Sequence, residues 1–212
     1  MGKIDGVDGY VKELLDAKGY LHFFRDVAHR VGGVLAVNYA TYSHNSAQNS
    51  VLIPVMRAGV AFEKSFLKRI FPVPRLYYIA TRRDPITLKP EVLYKTFGLD
   101  EKETDVVIIL EPMLATGGTM LAVIDEINMS FSPEKIFVIS AFVSKKAEEL
   151  LSDKVQIVAL SKGHNLNEKG YILIPDPYNQ KKVATLDFGD EYCGTLSLTE
   201  RRKKYVCPMD DI

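Results

Sequence analysis

The chain has 212 residues, with 27 basic and 27 acidic side chains; 47% of its residues are hydrophobic and 25% are charged. These proportions exclude wholesale disorder and a globally basic nucleic-acid binder. The longest apolar run, Val106–Leu110, is far shorter than the roughly 20 residues that span a bilayer, and the polar N-terminus predicts no signal peptide. Cys193 and Cys207 have no metal-binding spacing. We therefore expect one soluble domain, residues 1–212, in the reducing cytoplasm, without nucleic-acid or membrane partners.

Hydrophobic periodicity predicts the elements in chain order. Apolar residues at helical spacing predict two N-terminal helices within residues 1–48, broken near Gly19. Short apolar runs and amphipathic segments then alternate. The predicted strands cover residues 51–55, 76–80, 106–110, 135–143, 155–161 and 171–174, and the predicted helices cover residues 60–71, 120–127 and 145–151.

This alternation predicts an α/β fold, an open and mostly parallel twisted sheet flanked by helices on both faces. Residues 82–104 show no clean period, so we predict a long loop there. Loops of that length inside a compact domain are uncommon and usually functional. Open parallel sheets bind ligands beyond the carboxyl ends of their strands, so the loops after the strands are the candidate sites.

The loop after the central strand reads Glu-Pro-Met-Leu-Ala-Thr-Gly-Gly-Thr at residues 111–119 and leads into a helix. Paired glycines let successive backbone N–H groups converge on one point, and the helix adds its own free amides and positive dipole end. Thr116 and Thr119 can complete a phosphate cradle, and Glu111 can bind ligand hydroxyls or help to hold Mg²⁺. The alternative is a tight turn with Thr119 as N-cap. The spacing matches neither a Walker loop nor a Rossmann fingerprint.

At these residues the chain resembles the uracil phosphoribosyltransferase branch of the type I phosphoribosyltransferases. Residues 111–119 are similar to the loop of that family that binds phosphoribosyl pyrophosphate (PRPP). Three further segments are similar in order and approximate spacing: Pro-Val-Met-Arg-Ala-Gly at 54–59, Arg-Asp-Pro-Ile-Thr-Leu-Lys-Pro at 83–90 and Leu-Asn-Glu-Lys-Gly-Tyr-Ile at 166–172. Asp-Phe-Gly-Asp at 187–190 also resembles the C-terminal signature of the family.

The resemblance implies a type I phosphoribosyltransferase fold with a small hood formed by N- and C-terminal segments, the base-binding part of it at residues 163–196. It implies the reaction of uracil with PRPP to give UMP and diphosphate, with Mg²⁺ as cofactor, and a homodimer. The implied PRPP-binding residues are Arg57, Ala58, Gly59, Arg83, Glu111, Pro112, Met113, Leu114, Ala115, Thr116, Gly117, Gly118, Thr119 and Asp187. The implied uracil-binding residues are Met113, Ala115, Tyr171, Ile172, Leu186, Asp187 and Phe188.

Three of these residues are the implied catalytic ones. Arg83 would close over the diphosphate from the long loop, whereas its neighbour Arg82 is expected to be a solvated charge. Glu111 would face the ribose hydroxyls. Asp187 would hold Mg²⁺–diphosphate, directly or through water. Ile172 would offer its main chain to the edge of uracil.

The sequence departs from the family pattern at the base-binding end. Glu111 stands where the family has Asp. An additional segment, residues 176–186, intervenes before the C-terminal signature, and Leu186 stands where a glycine is usual. Two alternatives therefore stay open: a catalytically degenerate PRPP- or nucleotide-binding paralogue, and a phosphoribosyltransferase for another nucleobase.

Overall fold

The computed structural model describes residues 6–42, 49–83, 90–98 and 104–194, with the backbone alone at positions 83 and 180. The helices are α1 Val7–Asp16, α2 Leu21–Tyr42, α3 Val60–Leu67, α4 Gly118–Ser130, α5 Lys145–Leu151 and α6 Phe188–Cys193. The strands are β1 Ser50–Met56, β2 Arg75–Leu76, β3 Ile79–Arg83, β4 Pro90–Lys95, β5 Val106–Leu110, β6 Met113–Leu114, β7 Lys135–Ser144, β8 Gln156–His164, β9 Ile174–Asp176 and β10 Asn179–Ala184.

The main sheet runs β4–β3–β1–β5–β7–β8, with β2 continuing the line of β3 and β6 continuing the line of β5. Among the described strands its pairs are parallel except for β3 with β4. From β1 the chain first moves toward β4 and then returns to place β5 on the other side of β1. The order of the strands therefore reverses between β1 and β5, which is the position where such sheets bind ligands.

Alternating strand residues build one apolar core on each face of the sheet. Val106, Ile108 and Leu110 belong to the core that packs under α1, α2 and α3. Val107 and Ile109 belong to the core under α4 and α5. Because β5 is covered on both faces, all five of its residues are buried. The fold class and the central position of this strand agree with the sequence prediction.

The N-terminal helices pack against the C-terminal segment and form the hood. Leu14 and Phe24 share one core cluster with Ile172, Leu186 and Phe188. The aromatic rings of Phe24 and Phe188 meet edge to face at 4.9 Å between centroids. Residues 195–196 of the predicted hood segment lie outside the described residues. Within the described ranges, no helix has both the length and the apolar character that a membrane span requires.

One predicted helix and one predicted strand differ clearly from the structure. Helix α3 ends at Leu67 rather than at Phe71, which is 93% exposed; Pro72 disfavours helical backbone in the residue before it. The strand predicted at residues 171–174 is also wrong, because Ile172 makes only an isolated bridge to Leu166 and β9 begins at Ile174. The intervening segment that follows is the antiparallel hairpin of β9 and β10.

The loop predicted over residues 82–104 is corrected by the structure. Residues 79–83 and 90–95 form the antiparallel strands β3 and β4 at the edge of the sheet. Val92 packs on the core, whereas Leu93 and Tyr94 are exposed. Such an edge strand has no simple apolar alternation, which is why sequence periodicity missed it. Residues 84–89 and 99–103 of the predicted loop lie outside the described residues.

Gly59 is required by the close approach of the turn after β1 to strand β5. A Cβ atom at this position would lie 2.2 Å from the carbonyl oxygen of Leu110 and 2.6 Å from the amide nitrogen of Val55. Both neighbours are backbone atoms of packed strands, so neither can move without disturbing the sheet. The glycine allows the end of β1 and the end of β5 to lie side by side.

We therefore expect Gly59→Ala to lower the free energy of unfolding by about 3 kcal/mol or more, as steric overlap with fixed backbone does. Gly9→Ala is the matched control, because a Cβ there meets nothing within 4 Å in helix α1; it should raise stability by about 0.5–1 kcal/mol. Urea unfolding followed by circular dichroism measures both. Equal stability of the two variants would contradict the close approach.

Candidate functional site

The carboxyl end of β1 leads into a turn formed by Arg57, Ala58 and Gly59. The peptide bond between Met56 and Arg57 is cis. Arg57 Nη2 donates to Asp190 Oδ1 in α6 at 2.8 Å, and both side chains are at least one-third exposed. Exposed ion pairs of this kind contribute less than about 1 kcal/mol, so an anionic ligand can compete for the guanidinium group.

The carboxyl end of β5 leads into the loop that carries the glycine pair. Gly117 has φ +80°, and a Cβ atom there would lie 2.9 Å from Leu150 Cδ2 of helix α5, so glycine is favoured for two reasons. Helix α4 begins at Gly118. The loop therefore reaches α4 through a left-handed residue and presents the N-terminus of a 13-residue helix.

The first backbone N–H groups of α4 have no acceptor within the helix itself. Leu121 donates to the carbonyl oxygen of Gly117, which begins the helical pattern. Among the residues that the structure describes, no hydrogen bond has the amides of Gly117, Gly118 or Thr119 as donors. Free amides at the positive end of a helix are suited to a phosphate group.

The hood brings a third segment, residues 165–173, against this loop. Asn167 organises it, because its side-chain oxygen accepts hydrogen bonds from the amides of Lys169 at 3.0 Å and Tyr171 at 2.9 Å. Gly170 has φ +78° and approaches Thr116; a Cβ there would lie 3.5 Å from Thr116 Cγ2. The hood and the glycine loop are thus in contact across the site.

Two adjacent cavities lie at these strand ends and share Thr81, Glu111, Met113 and Ala115 as lining; we name them the loop lobe and the hood lobe. The loop lobe has a volume of about 250 Å³ and the hood lobe about 400 Å³. The loop lobe is lined by Thr81, Arg82, Glu111, Met113, Leu114, Ala115, Thr116, Gly117, Thr119 and Met120. The hood lobe is lined by Met56, Arg57, Ala58, Thr81, Glu111, Met113, Ala115, Lys169, Gly170, Tyr171, Ile172, Leu186, Asp187, Phe188 and Gly189.

Glu111 stands at the junction of the two lobes. Burial at the end of β5 raises the pKa of its carboxyl group to about 8, from an ordinary value of 4.5. The backbone N–H of Met113, 3.3 Å from Oε1, opposes that shift, and the negative charge of Asp187 adds to it. A carboxyl group that is largely neutral at pH 7 therefore faces the space between the lobes.

All seven residues predicted to bind uracil line the hood lobe. Most of the predicted PRPP-binding residues line one lobe or both. Gly59, Pro112 and Gly118 line neither lobe, although they shape the turn and the loop that do. Arg83 belongs to strand β3, not to a loop, and its side chain lies outside the described part of the structure.

Sequence reasoning missed several residues of the site. Arg82 is exposed, as expected of a solvated charge, and Arg82 Nε lies 3.1 Å from Glu91 Oε2; it nevertheless lines the loop lobe. Thr81 lines both lobes, and Lys169 lines the hood lobe. Thr81 directly follows the predicted strand 76–80 and the residues of β3 that pair in parallel with β1, and that position is a signal that could have found it.

Comparison with known proteins identifies the family of the chain. The model of the uracil phosphoribosyltransferase family matches residues 21–176. The chain belongs to the uracil phosphoribosyltransferase family. It is 34% identical to the uracil phosphoribosyltransferase of Mycoplasma mycoides over 138 residues, which is 63% of this chain and 64% of that relative. The alignments thus span less than two thirds of the length of the curated family members that the chain matches.

Solved structures support the same fold for this family member. The AQ2163 protein of Aquifex aeolicus superposes with a TM-score of 0.69 at 21% identity, covering 90% of this chain and 96% of that protein. A hypoxanthine phosphoribosyltransferase from Staphylococcus aureus superposes with a TM-score of 0.51 at 12% identity, over 77% of this chain and 88% of that protein. The phosphoribosyltransferase fold therefore extends well beyond the sequence motifs.

The raised pKa of Glu111 predicts how stability depends on pH. The folded protein binds more protons than the unfolded chain between pH 4.5 and about 8, so stability falls as pH rises through that window. In the parent, the free energy of unfolding should fall when the pH rises from 5 to 8.5. In Glu111→Gln this fall should be smaller by about 1 kcal/mol or more, the equivalent of one pKa unit.

Urea unfolding at the two pH values measures this difference. Glu149→Gln, at an exposed position of α5, is the control and should keep the parent pH dependence. The same pH dependence in the parent and in Glu111→Gln would contradict the assignment.

Proposed function

We propose that the protein transfers the phosphoribosyl group of PRPP to N1 of uracil and releases diphosphate, giving UMP. The bond between ribose C1 and the diphosphate oxygen breaks, a bond between C1 and the base nitrogen forms, and the proton of N1 leaves. The observation that carries this proposal is the pair of adjacent lobes that share Glu111: amides with no partner among the described residues border one lobe, and apolar together with charged side chains border the other.

The loop lobe is suited to the 5′-phosphate. Gly117 and Thr119 line a cavity at the N-terminus of α4, and their amides donate to no partner among the described residues. Phosphate oxygens accept hydrogen bonds from such donors, and the helix dipole favours their negative charge. Gly117 has a positive φ, which glycine adopts without steric cost, so the left-handed turn before α4 suits a glycine.

The turn after β1 is suited to the diphosphate. Arg57 borders the hood lobe, and a charge-assisted hydrogen bond to a diphosphate oxygen would be stronger than its exposed ion pair with Asp190. Asp187 borders the same lobe, and one of its carboxylate oxygens accepts from the amide of Asp190 at 3.0 Å, which fixes its position.

The acidic groups also fit Mg²⁺. Glu111 and Asp187 are close enough to interact electrostatically, and no larger cluster of metal-ligating side chains occurs among the described residues. Mg²⁺ is usually held by one or two carboxylates together with substrate phosphates and water. Asp187 would hold the ion with the diphosphate, and the ion would neutralise the charge of the departing group.

The hood lobe is suited to a planar base. Ile172, Leu186 and Phe188 are at most 2% exposed and bring apolar surface to one side of the lobe. Tyr171 is 47% exposed at the rim. A cavity that combines apolar side chains with a few polar groups is the usual setting for a small heterocycle. The main chain near Ile172 would then meet the polar edge of uracil.

Glu111 would face the ribose at the junction. At neutral pH its raised pKa leaves most molecules with one O–H donor and one acceptor for the ribose hydroxyls. Deprotonation would place a negative charge beside the positive charge that develops on the ribose ring, which preorganised groups stabilise. The homodimer remains a prediction from the resemblance, and the cytoplasmic location remains a prediction from the cysteine usage and the polar N-terminus.

One observation favours the alternative of a different base. The family match ends at residue 176, whereas Leu186, Asp187, Phe188 and Gly189 of the hood lobe follow that boundary. About one quarter of the lining of this lobe is thus built from sequence that the family model does not cover. The PRPP-facing loop lobe lies wholly within the match.

Purified protein with PRPP, Mg²⁺ and a panel of nucleobases should form UMP from uracil. Arg57→Ala should raise the KM for PRPP by about 10- to 150-fold, the loss of one charge-assisted interaction of about 1.5–3 kcal/mol. Arg30→Ala, outside both lobes, is the control. Turnover with a base other than uracil, and none with uracil, would support a phosphoribosyltransferase for another nucleobase. No turnover with any base would overturn the proposed activity.

Thr119→Val tests the loop lobe separately, because valine has the same shape and lacks the hydroxyl group. We expect ribose 5-phosphate to bind about fivefold more weakly, the loss of one hydrogen bond of about 1 kcal/mol. Thr41→Val is the control, since Thr41 donates to the carbonyl oxygen of Asn38 at an exposed site on α2. Isothermal calorimetry measures both affinities. An unchanged affinity of Thr119→Val for ribose 5-phosphate would show that the Thr119 hydroxyl group does not bind the phosphate.

A further inference from the structure

The connection between α1 and α2, residues 17–20, holds the C-terminal segment that borders the hood lobe. Lys18 Nζ donates to the carbonyl oxygen of Thr185 at 2.8 Å. The next residue, Gly19, donates its amide to Glu191 Oε2 at 2.7 Å. We name this pair of contacts the elbow clamp. Its two anchors lie on either side of residues 186–189, all four of which line the hood lobe.

The Glu191 contact is buried and specific. Glu191 is 5% exposed, and the amide of Gly19 is buried with it. Gly19 has φ +86°, a conformation that glycine adopts without steric cost, so the elbow presents its N–H group outward from the helix pair. Removing the carboxylate would leave a buried donor unsatisfied. The local structure therefore depends on an acceptor at position 191.

The clamp acts on one lobe only. None of residues 185–191 lines the loop lobe, which is built from β3, β5 and the glycine loop. Leu186 and Phe188, between the anchors, supply apolar surface to the hood lobe and pack with Leu14 and Phe24 of the N-terminal helices. A change in the clamp is therefore expected to shift the wall of the hood lobe without moving the phosphate nest.

Both sides of the clamp lie outside the part of the chain that matches the family model. Lys18 and Gly19 precede residue 21, and Thr185 and Glu191 follow residue 176. The N-terminal elbow and the C-terminal segment are nevertheless joined by two short hydrogen bonds across more than 160 residues of sequence. The contact is a property of this chain that the family match does not cover.

We propose that Lys18 and Glu191 are positioning residues for the base: the elbow clamp fixes the wall that carries Leu186 and Phe188, and thereby sets the affinity for the nucleobase. This inference rests on the proposed function, since it assigns the base to the hood lobe. It adds that recognition of the base depends on the N-terminal elbow, whereas recognition of the ribose 5-phosphate moiety does not.

Lys18→Met and Glu191→Met test the clamp, because methionine keeps much of the side-chain volume and removes the hydrogen bond. Both should raise the KM for uracil by roughly three- to tenfold, the size of one hydrogen bond, and keep the affinity for ribose 5-phosphate within twofold. Glu191→Gln keeps an acceptor and should restore the parent KM for uracil. Arg30→Met, which breaks the surface pair between Arg30 and Glu13, is the control for loosened packing of α1 on α2.

The outcomes separate this inference from the proposed function. Normal turnover in the parent with an unchanged KM for uracil in both methionine variants would overturn the clamp alone. An equal loss of ribose 5-phosphate affinity would also overturn it, because the effect would then be general destabilisation. If the parent shows no turnover, calorimetry can compare the parent and the clamp variants by the ratio of their affinities for UMP and for ribose 5-phosphate. If UMP binds no more tightly than ribose 5-phosphate, the hood lobe does not bind a base.

Discussion

The contact between the ends of β1 and β5 is the constraint on which the site depends. The two strands pair in parallel from Ser50 with Val106 to Pro54 with Leu110, so their carboxyl ends finish together. Gly59 then folds back over the Leu110 carbonyl at a distance that excludes any side chain. This approach places Arg57 and Glu111 beside one cavity, although more than 50 residues separate them in sequence. A cation and a carboxyl group thus border the same cavity at the strand reversal.

The same packing explains the unusual state of Glu111. A carboxyl group directly after a fully buried strand loses hydration, and the single N–H of Met113 does not compensate for that loss. The nearby charge of Asp187 raises the cost of ionising it further. A bound cation would favour the ionised form of Glu111 and oppose both effects. Cation binding and deprotonation of Glu111 are therefore expected to be coupled.

The parts of the fold that the sequence predicted are those governed by local pattern. β5 and α5 have the predicted bounds, because a continuous apolar run and a helical period each determine them. β4 and β10 were missed, since edge and hairpin strands expose much of their surface and show no clean alternation. The glycine loop was recognised from neighbouring residues alone. The closure of the hood depends on contacts such as Lys18 with Thr185, which no local pattern contains.

This difference between local and distant contacts affects how independently the residues that line each lobe can change. Residues 111–120 supply most of the loop lobe as one continuous segment, so a single substitution there can disturb several of its lining residues together. The wall of the hood lobe comes from the ends of β1 and β5, the segment around Gly170 and the segment after Thr185. Each of these segments can change while the others keep the cavity open. A chain with this arrangement can retain its loop lobe while the neighbouring hood lobe is reshaped through its supports, and the buried hydrogen bond between Gly19 and Glu191 is one such support.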